Sequence, residues 1–208
     1  MEENRVRIFI FHYLRTRMPE TFLMMGFPFA GVLFSLSVWS LSTLRRLIIF
    51  CFATFLLGIH IYIFNDWGTF SSERDRFAVD IPKRGLLFCS FALLGVSLPT
   101  YFLLSYRTFF IAAILSFTWM PYAHPGILIK GKPVLPTMEH FLAGILMFLL
   151  GYSLFKQPDL EGFAVSGYFA LIFSAGHLNH EAKDYEEDNH QNLPSGQSPP
   201  LNSLLYTK

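Results

Sequence analysis

The segment His177-Leu-Asn-His-Glu-Ala-Lys-Asp-Tyr-Glu-Glu-Asp188 follows the apolar run 162–175, with no turn residue between Gly176 and Asp188. A helix carried through it sets His177, Glu181, Asp184 and Asp188 along one side, at spacings of four, three and four. Carboxylates in one row repel each other, and beside a membrane that repulsion is weakly screened. A hard divalent cation such as Mg²⁺, which takes oxygen ligands and shares them with phosphate, answers that charge; a solvated helix end is the alternative. A second polar cluster closes another apolar run at Asn65-Asp66, followed by Thr69, Glu73 and Asp75. Asn65, Thr69 and Glu73 are four apart and share a helix face, with Asp66 beside it. A plain helix end with a charged loop has the same composition.

Two loops supply the opposite charge. Asp80-Ile-Pro-Lys-Arg-Gly85 and Tyr122-Ala-His-Pro-Gly-Ile-Leu-Ile-Lys-Gly-Lys-Pro133 both place basic residues next to Pro and Gly. Such residues are membrane-edge anchors whose stems snorkel to headgroups, or a cradle for phosphate oxygens. Arg15 and Arg17, just ahead of the first apolar run, read as topology signals. If the two acidic helix ends face each other, Mg²⁺ between them can bridge a diphosphate while Lys and Arg neutralise its outer oxygens. A Phe-rich interior would house a hydrocarbon chain and shield a carbocation-like transition state, which aromatic faces stabilise. The chemistry such an arrangement would suit is ionisation of an allylic diphosphate and transfer of its prenyl group.

The elements that must hold these groups are membrane helices. The chain has 208 residues, 52% of them hydrophobic, with 24 Phe and only 15% charged, well below the charge of a soluble domain. Six apolar runs, 21–41, 47–64, 86–104, 109–120, 141–155 and 162–175, reach or approach the roughly 20 residues of a spanning helix. Backbone in hydrocarbon must satisfy itself, so the runs predict an all-α polytopic bundle of about six helices with both termini on one side. Of the 16 basic residues, Arg45, Arg46, Arg107 and Lys156 fall on one side and the other 12 on the side of the termini, which the bias assigns to the cytoplasm. Cys51 and Cys89 lie within apolar runs and read as packing residues. No cleavable leader is evident, and residues 189–208, rich in Pro, Ser and Gly, read as a loosely held tail after a domain spanning 1–188.

These motifs together resemble the UbiA superfamily of intramembrane prenyltransferases. That family carries Asn-Asp-x-x-Asp-x-x-x-Asp after its second helix and Asp-x-x-x-Asp after its sixth. Asp184-Tyr-Glu-Glu-Asp188 matches the second motif, and Asn65-Asp66 matches the opening of the first, with Glu73 at its last acidic place and Thr69 at its middle one. Lys83-Arg84 stands where the family has basic residues after the first motif. Tyr122, Pro125 and Lys130 match its Tyr-x-x-Pro-x-x-x-x-Lys loop, and Tyr13-Leu-Arg-Thr-Arg-Met-Pro19 its lead into helix one. The likeness runs from about residue 13 to 192.

The resemblance implies transfer of a prenyl group from a polyprenyl diphosphate to a lipophilic acceptor, aromatic acceptors included, in the cytoplasmic membrane. It implies Mg²⁺ held by Asp66, Glu73, Asp184 and Asp188, with Asp66, Asp184 and Asp188 as the catalytic carboxylates. Asn65, Lys83, Arg84 and Lys130 would bind the diphosphate. Membrane lipid is an expected partner and nucleic acid is not; self-association is left open. The family has nine helices and this chain six, lacking the last three. With Thr69 in the first motif, this makes a truncated or catalytically impaired relative, binding prenyl lipid or serving as a subunit, the alternative. A transporter fits less well, because the carboxylates gather at one face rather than at mid-membrane.

Overall fold

The computed structural model describes residues 2–69, 83–124, 127 and 134–191; side chains are described from Arg17 onward, apart from those of 69, 180, 181 and 184–191. Six helices lie among the described residues: α1 (Glu2–Ser35), α2 (Leu41–Thr69), α3 (Lys83–Leu104), α4 (Tyr106–Ala123), α5 (Leu135–Tyr152) and α6 (Leu160–Gln191). The described residues contain no strand. Each apolar run yields one helix. Three of the helices, α2, α3 and α5, are long and apolar enough to cross a membrane.

The ends of the helices follow local chemistry more than hydropathy. The first apolar run extends to residue 41, but α1 stops at Ser35 and α2 starts at Leu41. Ser40 caps α2, its Oγ accepting from the Thr43 amide at 3.1 Å. Arg45 and Arg46, which bounded the second run at 47, thus ride in the first turns of α2, and Arg46 donates to the Leu154 carbonyl at 2.6 Å. One residue, Ser105, joins α3 to α4; its Oγ accepts from the Thr108 amide at 3.1 Å. At the other extreme α6 runs unbroken through Asp188, as the absence of turn residues predicts, and on to Gln191, three residues into the stretch expected to be tail. The expected tail lies outside the described residues from 192 onward.

Packing runs α2 on α3, α5 on α6, α1 on α5, and α4 on α5, with α3 on α4 and α1 on α2 completing the bundle. The shared core joins Val32, Phe50, Leu57, Tyr101, Leu115, Met147 and Leu150. Where α1 crosses α5 the backbones nearly touch: a Cβ on Gly151 would collide with the Pro28 carbonyl oxygen, and one on Gly31 with that of Phe148. Small residues allow this approach, which suits helices that gain little from burying apolar surface away from lipid. Buried polar groups link the helices. Ser97 Oγ donates to the Ala53 carbonyl at 2.9 Å, and Tyr101 Oη to Thr54 Oγ1 at 3.0 Å. His60 Nδ1 and Ser90 Oγ are 2.8 Å apart.

The outside of the bundle is apolar. Leu23, Leu33, Ile48, Phe88, Leu103, Phe110, Phe117, Leu142 and Leu171 are exposed, and together they represent all six helices. A water-facing surface does not carry so many large apolar side chains over its whole girth, whereas a lipid-facing one does. Cys51 is half-buried and Cys89 exposed; both are free thiols, so Cys89 faces outward instead of packing the core.

Candidate functional site

At one end of the bundle the helices part around a cavity of about 710 Å³. Five helices form its wall. α1 gives Arg17, Glu20 and Phe27; α2 gives Ile61, Tyr62 and Asn65; α4 gives Trp119 and Tyr122; α5 gives His140; α6 gives Phe173, Gly176 and His177. The last turns of α2 and the middle of α6 therefore face each other across open space. The acidic end of α6, expected opposite Asn65 and Asp66, lies beyond this wall, and the side chains of Glu181, Asp184 and Asp188 lie outside the described set.

The charged side of the cavity is built on Arg17. Its Nη2 donates to Asp66 Oδ1 at 2.5 Å, its Nε to Asp66 Oδ2 at 3.3 Å, and its Nη1 to Glu20 Oε2 at 2.8 Å. A forked guanidinium matches a carboxylate in this two-point fashion, and the charge assists both bonds. Asp66 is only 1% exposed, so the pair is effectively buried from the Asp66 side. Burial works against the charge on Arg17, but Asp66 and Glu20 outweigh it and hold the guanidinium protonated beyond its ordinary range. Its carbon Cζ also lies 5.7 Å over the Tyr62 ring. Arg17, read from sequence as a topology signal, is thus a wall residue of the cavity.

The aromatic side centres on His140. The His140 and His177 rings stack with centroids 3.7 Å apart and planes 5° apart. Trp119 and Tyr122 meet His140 edge-on at 5.0 and 5.3 Å, and Phe173 leans on it at 5.4 Å. His140 Nδ1 lies 2.8 Å from the Pro136 carbonyl oxygen. A carbonyl can only accept, so Nδ1 carries the proton and Nε2 carries the lone pair.

The residues singled out in the sequence are placed as follows. Asn65 lies in the cavity wall, and Asp66 sits behind it on Arg17. Lys83 and Arg84 form the first turn of α3, close to the end of α2, where Lys83 Nζ lies 5.4 Å over the Trp67 ring. Trp67 in turn leans on His124 at 5.8 Å, so the α2, α3 and α4 ends meet there. Two cations in a first turn oppose the helix dipole, and a nearby anion would relieve them. The register of α6 keeps 177, 181, 184 and 188 in one row, but the side chains of Asp184 and Asp188 lie outside the described set. So does the side chain of Thr69, and Glu73 and Lys130 lie wholly outside it.

Among the described residues no three His, Cys, Asp or Glu side chains come together as a metal site. Of the expected Mg²⁺ ligands only the Asp66 side chain is described. An oxygen donor suits a hard cation, but both Asp66 oxygens already engage Arg17, so a cation there would have to displace the guanidinium. Sequence reading missed Glu20, Tyr62, Trp119 and His140. His177 and Arg17 were noticed for other roles. The one sequence signal for this group is that Trp119, Tyr122, His140 and His177 are polar-edged aromatics at or just beyond the ends of apolar runs. The chain matches no family model, no curated protein and no solved structure.

Proposed function

We propose that the chain is a UbiA-like membrane prenyltransferase of six spanning helices, transferring a prenyl group from a polyprenyl diphosphate to a lipophilic acceptor at the cytoplasmic face. The observation that supports this reading is the cavity: about 710 Å³, walled by aromatic rings, with Asn65 on one side, His177 on the other and Arg17 at its polar end. A hydrocarbon chain and a ring can share that volume, and Arg17, with Lys83 and Arg84 nearby, provides cationic groups for phosphate oxygens. Phe27, Trp119 and Phe173 would keep water from an allylic cation and offer it ring faces. Asp66, Glu73, Asp184 and Asp188 are the residues that would hold Mg²⁺, and the ion's chemistry is to neutralise charge on the departing diphosphate. Arg17 would pass from Asp66 to the diphosphate as the carboxylate takes up its other role.

The second reading is a prenyl-lipid-binding relative without turnover. The hold of Arg17 on both Asp66 oxygens, and Thr69 in place of a carboxylate, favour it. Purified protein in lipid nanodiscs, given labelled polyprenyl diphosphate with and without Mg²⁺, separates the two. The transferase predicts Mg²⁺-dependent release of diphosphate, reduced about a hundredfold or more by Asp184→Ala. Retention of the donor without release, and activity arising only in Thr69→Asp, selects the second reading. Absence of any donor binding sinks both.

A further inference from the structure

The wall of the cavity pairs a hydrogen-bond acceptor with a donor. His140 is 8% exposed, lines the cavity and is immobilised on several sides, by His177 stacked on its face and by Trp119, Tyr122 and Phe173 around it. Its Nδ1–H is committed to the Pro136 carbonyl, so Nε2 is the only basic atom of the ring. Next to it, with ring centroids 5.0 Å apart, the Trp119 Nε1–H is buried and has no acceptor among the described residues. A buried indole N–H without an acceptor is costly, and a ligand that supplies one recovers that cost. The other ionisable groups that line the cavity with His140 are His177 on α6, Tyr122 on α4, Arg17 and Glu20 on α1 and Tyr62 on α2, and Glu139 precedes it on its own helix. Of these, His177 and Tyr122 touch its ring.

A hydroxyl is the group that satisfies both neighbours, donating to one and accepting from the other. A planar ring bearing it would rest among Phe27, Trp119 and Phe173. We propose that His140 binds the hydroxyl of a phenolic acceptor through Nε2, and that it takes the proton this acceptor loses when prenylated. The binding half stands on the geometry; the proton-accepting half rests on the prenyl-transfer reading. In that step the C1–O bond of the allylic diphosphate breaks and its electron pair leaves with the diphosphate. An electron pair of the acceptor, from its oxygen or its ring, forms the new bond to C1. The displaced proton goes to His140 Nε2, giving an imidazolium, so charge and atoms balance. Ring stacking holds Nε2 in place before the acceptor arrives, and such preorganisation is where a base gains its efficiency.

The test uses the full chain in nanodiscs, with para-pentylphenol and its methyl ether as calorimetric probes. The ether keeps the ring and the tail but cannot donate. The phenol should bind about tenfold more tightly than the ether. His140→Ala should bring the two affinities together, whereas Trp119→Phe should weaken both probes alike, because the ether oxygen still accepts. His140→Gln keeps a hydrogen-bond acceptor at similar size, so it should retain a preference for the phenol while losing prenyl transfer. Equal affinities in the natural protein, or a preference untouched in His140→Ala, overturn the binding role. If His140→Ala does not fold, His140→Gln decides: undiminished transfer overturns the proton-accepting role. A preference that depends on His140, with no transfer to any acceptor, supports the binding role and overturns the transfer reading on which the proton step rests.

Discussion

Arg17 joins two carboxylates, and one of them, Asp66, is the residue that sequence motifs assign to metal. The pair spans 49 residues of chain and ties α1 to α2 beside the cavity. Breaking such a pair from one side leaves a buried charge uncompensated, which costs more than the pair itself contributes. Arg17→Ala should therefore lower stability by about 3–5 kcal/mol. The double variant Arg17→Ala with Asp66→Ala should be more stable than Arg17→Ala alone, because it removes the orphaned carboxylate as well. Unfolding in graded detergent denaturant would read both; equal stability of the single and double variants would show that Asp66 is solvated when Arg17 is gone. Arg17 also shows why part of the site was hidden in the sequence. An Arg before an apolar run is read as a topology signal unless its partner is known, and the partner here lies a full helix away. His140 was silent for the same reason: its role depends on His177 and Trp119, which only packing brings to it.

Helix α6 shows what one element makes legible and what it does not. Its continuation to Asp188 could be read directly, because no Gly, Pro or turn-forming residue interrupts 177–188, though the helix goes on to Gln191. Its beginning could not, since the apolar run starts at 162 and the cap lies before it. Asp159 Oδ1 accepts from the Gly162 amide at 2.9 Å and from Tyr152 Oη at 2.9 Å, while Oδ2 meets Lys156 Nζ at 2.9 Å. These partners, the Gly162 amide first, hold the Asp159 carboxyl down at about 2. A depressed carboxyl contributes stability above its unfolded value, and that contribution is lost as pH falls through the folded one. The cap should therefore persist at pH 5, weaken below pH 4 and be gone near pH 2. Asp159→Asn, which keeps capping ability without charge, should remove the pH dependence of amide exchange at Gly162 over that window. If exchange at Gly162 still accelerates on acidification in Asp159→Asn, another group is responsible. The same logic explains the start of α2, where Ser40 sets a boundary that Arg45 and Arg46 concealed: charged residues mark membrane edges, but caps mark helix ends.

On the scale of the whole molecule, the inside holds the polar ties and, among the described residues, large apolar side chains are exposed on every helix. The proposed six crossings rest on that distribution, whereas length and composition single out α2, α3 and α5. The two topologies make different predictions for the ends of α4 and of α6. With six crossings, Arg107 and Ile127 lie on opposite sides of the membrane, as do Gln157 and Lys183. If only α2, α3 and α5 cross, each of these pairs lies on one side. In a background with Cys51 and Cys89 replaced by Ala, single cysteines at these four positions can be treated with a membrane-impermeant maleimide in intact cells. The bias of basic residues sets the absolute sense. Arg107→Cys and Gln157→Cys should label from outside, whereas Ile127→Cys and Lys183→Cys should label only after permeabilisation. Labelling of Arg107→Cys and Ile127→Cys from the same side would remove α4 from the membrane. Trp119 and Tyr122 would go with it, and the cavity would lose the wall that α4 gives it beside His140. Topology and site therefore stand together: a phenol-binding pocket beneath the headgroups requires α4 to cross.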